Sequence, residues 1–161
     1  MPQMQITIPC WARENIIVRF FYVFSKIEYA LKTQGFLQNK KDAHADWNGF
    51  AKQLDVEFLN KIKESKEAAI LFSDPPKKQV NNSGHLAWEK RASPKNSQEL
   101  FEAIRRVRNN LFHGGKYPFG QLEEPSRNND LLNACLFVLE EALDTDENVR
   151  NRYNEGDGYR N

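Results

Sequence analysis

The chain has 161 residues, 40% of them hydrophobic and 12% aromatic, which is enough to bury the core of a single domain. Its formal net charge of +1 excludes a basic surface all round, so any nucleic-acid site has to be local. Cys10 and Cys135 lie far from each other and from any pair of histidines, which argues against zinc. No apolar run reaches the roughly 20 residues of a membrane span, and no secretory signal is recognisable. We therefore expect a cytoplasmic protein that needs no metal or cofactor.

The first half of the chain predicts two main helices. The first runs from about residue 11 to 33 and is ended by Gly35. Its apolar residues recur at helical spacing: Ile16, Phe20, Val23, Ile27 and Leu31. The second starts near Asp42, and it either continues or breaks and resumes as far as Phe72. Its apolar residues are also three or four apart: Trp47, Phe50, Leu54, Phe58 and Ile62.

An irregular insertion is predicted over residues 73–96, where proline, glycine, asparagine and serine are frequent. Within it, residues 85–90 could form a short helical turn around Trp88. The third helix begins at Asn96, which with Glu99 resembles a capping box, and ends at Gly114 and Gly115. A fourth helix is predicted from residue 126 or 128 to 143, and nowhere does strand alternation persist long enough to build a sheet.

These elements predict an all-α fold: a four- to five-helix up-and-down bundle with one irregular insertion between the second and third main helices. We expect one domain over residues 1–150, including the insertion at 73–96. Residues 151–161 are polar and are expected to form a flexible C-terminal tail.

One side of the third helix carries an unusual set of residues. At 100° per residue, the flank of its apolar seam is formed by Phe101, Arg105, Arg108 and Phe112. Two aromatic rings around an arginine are unusual on a solvated strip. We therefore expect this flank to pack against another helix or a second copy of the chain, and Phe101 and Phe112 to lie in a homodimer interface.

The end of the same helix carries residues suited to phosphodiester chemistry. Arg108 presents a planar, permanently charged fork that matches phosphate oxygens, and His113 is of the type that exchanges a proton near neutral pH. Because RNA supplies its own nucleophile, the 2′-hydroxyl, cleavage needs only proton transfer and charge stabilisation. Asn109 could orient the phosphate or the imidazole. A helix-end charge pair favoured by the macrodipole is the structural alternative.

Two further basic residues lie around this strip. Arg105 and Lys116 could bind the substrate backbone, since they form a local basic rim. The simpler interpretation is that Arg105 is a solvated helix charge and Lys116 an exposed loop lysine.

The segment Arg108-Asn109-Asn110-Leu111-Phe112-His113 resembles the R-x4-6-H motif of the HEPN superfamily (higher eukaryotes and prokaryotes nucleotide-binding). The polar residue after the arginine, the position late in a helical chain and the early segment 20–31 all fit the resemblance. It implies a four- or five-helix bundle that dimerises and pairs two motifs across one cleft. It also implies a metal-independent endoribonuclease that leaves 2′,3′-cyclic phosphate ends.

The resemblance further implies residue roles and partners. Arg108 and His113 would be the catalytic pair, with Asn109 assisting. Glu28, on the first helix, could orient Arg108, although it could equally pair with Lys32 in its own helix. HEPN proteins act as toxins controlled by antitoxins or in antiviral defence complexes, so RNA and such a protein are the expected partners.

One position departs from the family pattern. Where toxins silenced by nucleotidyl transfer carry a tyrosine two residues after the histidine, this chain has Gly115, so that mode of control is not expected. Three alternatives remain from the sequence: a HEPN-type endoribonuclease, a HEPN-like nucleotide- or RNA-binding module or defence-complex subunit that does not cleave, and an unrelated helical interaction protein.

Overall fold

The structure, a computed structural model, describes residues 15–113 and 125–155. These ranges contain seven helices and one antiparallel hairpin. The elements in chain order are α1 (Ile16–Thr33), α2 (Trp47–Gln53), α3 (Val56–Glu64), α4 (Ala69–Ser73), β1 (Lys78–Asn82), β2 (His85–Glu89), α5 (Ser97–Phe112), α6 (Pro125–Thr145) and α7 (Glu147–Glu155).

The ends of the first helix follow from its capping residues. The side-chain oxygen of Asn15 accepts hydrogen bonds from the backbone N–H groups of Ile17 and Val18, at 2.9 and 3.4 Å. Gly35 adopts φ +97° just after the helix, a left-handed conformation that glycine takes without strain, as the sequence predicts. Residues 11–14, which the prediction also assigned to this helix, lie outside the described residues.

The second predicted helix is broken into α2, α3 and α4, and its predicted start at Asp42 is wrong. Asp46 and Asp55 each cap a separate helix, accepting hydrogen bonds from the N–H groups of Gly49 and Phe58 at 2.9 and 2.8 Å. A carboxylate that satisfies the free N–H groups of a new helix favours a restart at that point. The residues before Asp46 instead form an extended loop, closed by a β-bridge between Leu37 and Ala45.

The insertion contains a β-hairpin, so the predictions of a helical turn at residues 85–90 and of no sheet are wrong. β1 and β2 pair antiparallel in a register that places Asn82 opposite His85. The two turn residues, Ser83 and Gly84, have φ values of +52° and +84°, as in the type I′ turn that matches the twist of a hairpin. The side chain of Asn81 stabilises the turn by accepting a hydrogen bond from the Gly84 N–H at 2.7 Å.

Helix α6 is the centre of the packing, since α1, α3, α4, α5 and α7 all contact it, while α2 packs against α5 and α7 against α1. The described part is therefore mostly helical, as predicted. However, the short helices α2, α3 and α4 and the hairpin do not form a plain up-and-down bundle. None of the described helices is long and apolar enough to span a membrane.

The predicted domain boundary at residue 150 is also wrong for the residues that follow it directly. Helix α7 extends to Glu155, and the side chains of Val149 and Tyr153 are buried in the core. Residues 151–155 are thus part of the fold, because the spacing of Val149 and Tyr153 places both on the face that packs against α1. Residues 156–161 of the predicted tail lie outside the described residues.

Candidate functional site

Helix α5 carries the predicted site, and it starts at the predicted N-cap, Asn96. Asn96 is the N-cap and accepts a hydrogen bond from the Glu99 N–H at 2.9 Å, while the Glu99 carboxylate accepts one from the Lys95 N–H at 2.7 Å. At the other end, His113 is the C-cap, and its N–H donates to the Asn109 carbonyl at 2.9 Å. The site residues therefore lie along the last turns of α5. Lys116, Gly114 and Gly115 lie outside the described residues.

Phe101 is not an interface residue, contrary to the prediction. Its ring is completely buried and lies 5.5 Å from the ring of Trp47, 5.7 Å from that of Phe50 and 6.3 Å from that of Phe58. The helical projection placed Phe101 on the flank of the seam, but α2 and α3 cover that flank near the start of α5. Phe112, three turns later, is 71% exposed and remains available for an interface.

The Arg108 guanidinium packs on an aromatic ring of the first helix. Its central carbon lies 5.2 Å from the centroid of Phe24, which itself stacks on Trp47 at 5.1 Å. The Nε of Arg108 is buried and has no hydrogen-bond partner. This contact fixes the direction of the side chain, and the sequence did not reveal it, because the spacing along α5 does not show which residue of α1 lies beneath Arg108.

Arg105 lies one turn before Arg108 and is half-buried, so it is only partly the solvated helix charge of the simpler interpretation. Its Nε is also buried without a partner. Burial lowers the pKa of Arg105, and the charge of Arg108 lowers it further. Glu102, Glu28 and Asp46 act in the opposite direction through space. The two guanidinium groups thus repel each other in a partly desolvated place.

Neither arginine forms an ion pair or a hydrogen bond within residues 15–113 and 125–155. The buried atoms without partners include the Nε of Arg105 and of Arg108 but none of their terminal nitrogens. The terminal nitrogens therefore reach the surface. Two adjacent guanidinium forks that face solvent with no carboxylate on them can bind an anion such as a phosphate group.

Glu28 does not orient Arg108. Its carboxylate accepts a hydrogen bond from the indole Nε1–H of Trp47 at 3.0 Å, which links α1 to α2. Nor does it form an ion pair with Lys32 in the described structure. A buried tryptophan N–H needs an acceptor, and Glu28 is the group that satisfies it. Its effect on the arginines is limited to the through-space attraction on Arg105.

Asn109, Phe112 and His113 are exposed at the end of α5. The rings of Phe112 and His113 meet edge to face, with centroids 5.5 Å apart. Residues five positions apart on a helix point about 140° apart, with Cα atoms about 9 Å from each other. Ideal helix geometry therefore points Arg108 and His113 to different sides of the same helix end.

The opposite side of α5 holds the hairpin in place, a role that the sequence did not suggest. The Asn110 side chain is buried, and its Nδ2 donates to the Lys77 carbonyl at 2.9 Å. Arg106 donates to the Pro76 carbonyl at 3.0 Å. Burial and nearby Arg91 lower the pKa of the Arg106 guanidinium. Two consecutive carbonyls before β1 are thus bonded to α5.

Within the described ranges, no group of three or more histidine, cysteine, aspartate or glutamate side chains could hold a metal ion. Cys135 is fully buried, and this burial raises the pKa of its thiol, which keeps it in the unreactive protonated form. Arg105 and Arg108 therefore remain the strongest chemical feature described. No protein-family model, curated protein or solved structure matches the chain.

Proposed function

We propose that the chain is a metal-independent endoribonuclease of HEPN type, in which Arg108 and His113 act on an RNA phosphodiester at a cleft between two copies of the chain. The observation that carries the proposal is the pair of half-buried arginines without an anionic partner among the described residues. We assign the biological role to a toxin or antiviral-defence system on the resemblance of the motif at residues 108–113.

The arginine pair supports a phosphate ligand on energetic grounds. Partial burial removes water from the Arg105 guanidinium, and the like charge of Arg108 opposes it. The contact of Arg108 with Phe24 contributes only about 0.5–2 kcal/mol. A phosphate placed on the two forks would supply the missing negative charge and accept several charge-assisted hydrogen bonds.

The chemistry follows from adding a proton-transfer group beside that phosphate. One histidine takes the proton from the ribose 2′-hydroxyl, whose oxygen forms a bond to phosphorus. The bond from phosphorus to the 5′ oxygen breaks, and this oxygen receives a proton from the solvent. The products are a 2′,3′-cyclic phosphate and a free 5′-hydroxyl, and the arginines stabilise the charge on the phosphoryl oxygens.

The separation of Arg108 and His113 around the helix favours a site shared by two copies. With the side chains about 140° apart, one copy cannot easily present both groups to the same phosphate. A second copy packed across the exposed end of α5 would bring its own His113 beside Arg108 of the first. Phe112, exposed next to both, is the apolar side chain that such an interface would bury.

The test is cleavage of RNA by the purified protein in EDTA, with chemical analysis of the ends. Arg108→Ala and His113→Ala should each reduce cleavage by at least about 100-fold, as expected for removal of a phosphate ligand or a proton-transfer group. Arg152→Ala and His44→Ala remove the same residue types from exposed positions elsewhere and should leave the rate unchanged. Expression of the wild type, but not of the two inactive variants, should slow cell growth.

Other results would assign a different function. If the wild type binds RNA or a nucleotide through Arg105 and Arg108 but never cleaves RNA, the chain is a binding module. The contact with Phe24 would then only orient Arg108 towards the ligand. If the wild type binds neither and Arg108→Ala lowers stability, the residues are structural.

A further inference from the structure

We infer that the β-hairpin of residues 77–91 is a second binding surface, which takes single-stranded RNA and guides it to the end of α5. That the strand is a substrate rests on the proposed function, whereas the binding surface itself is argued from the hairpin. Four observations support it: the charge of the hairpin, its exposure, its anchoring and its position.

The hairpin segment carries a local excess of positive charge. Residues 77–91 include four basic side chains and one acidic one, a net charge of +3, whereas the whole chain carries only +1. Lys78 and Lys90 are exposed and form no ion pair with any described residue, while Arg91 pairs with Glu89 at 2.8 Å. The exposed Lys78 and Lys90, on a chain whose remaining residues are net acidic, are complementary to a phosphate backbone.

The hairpin also presents groups that suit unpaired bases. The cross-strand pairs place Gln79 opposite Trp88 and Asn81 opposite Leu86, so these four side chains share one face. Leu86 is 67% exposed and Trp88 is 37% exposed. An aromatic ring on which a base can stack, next to amides that can bond to base edges, is typical of single-strand binding surfaces.

The hairpin contributes little to the core, yet it is firmly held at its base. None of its ten strand residues is buried, and an isolated two-stranded hairpin is marginally stable in water. The base is fixed by the hydrogen bonds from Asn110 and Arg106 to the carbonyls of Lys77 and Pro76. An element that buries so little but is held in one orientation is better explained by a ligand than by stability.

The position of the hairpin links it to the proposed site. Asn110, which holds its base, precedes His113 by three residues, about 4.5 Å along the helix and about 60° around it. Further around the α5 axis in the same direction lie Asn109 and then Arg108. A strand that leaves the hairpin and crosses the end of α5 towards Arg108 would therefore pass His113.

The test measures binding of a fluorescein-labelled single-stranded RNA of about 20 nucleotides by fluorescence anisotropy, with His113→Ala in every protein to prevent cleavage. The double variant Lys78→Ala/Lys90→Ala should bind at least tenfold more weakly. Its salt dependence should also be reduced, by about 0.7 in the logarithmic slope for each phosphate that the lysines no longer neutralise. The control, Lys52→Ala/Lys63→Ala, removes the same charge from the exposed faces of α2 and α3 and should bind within twofold of the parent.

Trp88→Ala should weaken binding about 5- to 100-fold, and Trp88→Phe, which keeps a ring, should restore most of the affinity. Circular dichroism would verify that each variant is folded. Equal RNA affinity of the two double-lysine variants would overturn the inference. The inference would also be overturned if the hairpin variants bound RNA normally but no longer self-associated in sedimentation experiments. The hairpin would then be an interface between copies of the chain.

The hairpin and the catalytic proposal fail in different ways. A wild type that binds RNA through the hairpin but never cleaves would retain the binding surface and exclude the nuclease. If the wild type and Lys78→Ala/Lys90→Ala cleave RNA with the same KM and kcat, the nuclease proposal stands and the proposal that the hairpin binds RNA is overturned.

Discussion

Replacing Phe101 and Phe112 separately by alanine would distinguish a core position from an interface position on the same flank of α5. The Phe101 ring is fully buried and touches the rings of Trp47, Phe50 and Phe58. Removing such a ring leaves a cavity that its neighbours fill only in part, at a cost of about 3–5 kcal/mol in the free energy of unfolding. This is a large share of the roughly 5–15 kcal/mol that stabilises a typical domain.

Phe112, in contrast, is 71% exposed, so Phe112→Ala should change the free energy of unfolding of one copy by less than about 0.5 kcal/mol. It should instead weaken self-association, because the interface would be missing an apolar side chain. Urea unfolding followed by tryptophan fluorescence would measure both variants, since Trp47 lies beside Phe101. Comparing protein concentrations about a hundredfold apart separates folding from association.

Two outcomes would refute this reasoning. One is a Phe101→Ala variant that unfolds within about 1 kcal/mol of the wild type but no longer self-associates, which would return Phe101 to the interface. The other is a Phe112→Ala variant that is as destabilised as Phe101→Ala at every protein concentration, which would mean that its ring is buried within one copy.

Two further predictions concern the anchoring of the hairpin and the pH dependence of stability. Asn110→Ala should lower the free energy of unfolding by about 1–2 kcal/mol and speed hydrogen exchange in β1 and β2, because the Lys77 carbonyl loses its donor. The control Asn109→Ala, at an exposed position, should do neither. Equal hydrogen exchange in the two variants would contradict the anchoring role of Asn110. Burial raises the pKa of Glu140, so the folded state holds its proton more tightly than the unfolded state. The wild type should thus lose stability relative to Glu140→Gln as the pH rises from about 4 to 7, measured by urea titrations at both pH values. The opposite trend would mean that the 3.4 Å pair with Arg19 outweighs burial, and it would refute the prediction.

The helical part of the fold is readable from the sequence where periodicity and capping agree. Asn96 with Glu99 marks the start of α5, and Gly35 marks the end of α1, because each provides a side chain or a backbone conformation that a helix end commonly uses. The break before α3 has a comparable signal in Asp55, which the apolar spacing of Leu54 and Phe58 concealed. Spacing alone does not distinguish one helix from two that share a register.

The hairpin was missed because its strands lack the apolar alternation of a half-buried sheet. Its signal was the turn, Ser83-Gly84 after two asparagines, which permits the positive φ values of a type I′ turn. The site was predicted only in part for a related reason. A helical projection gives the direction of Phe101 and Arg108 but not which neighbour covers them, so the burial of Phe101 and the ring of Phe24 beneath Arg108 depend on tertiary packing.

The most direct test of the shared site uses two inactive variants together. If Arg108 of one copy works with His113 of the other, a mixed dimer of Arg108→Ala and His113→Ala contains one complete site and one that lacks both groups. After equal amounts exchange subunits, half of the dimers are mixed, so RNA cleavage in EDTA should recover to about one quarter of the wild-type rate. A mixture that stays as inactive as either variant alone, although exchange is verified by differently labelled subunits, would contradict the shared site.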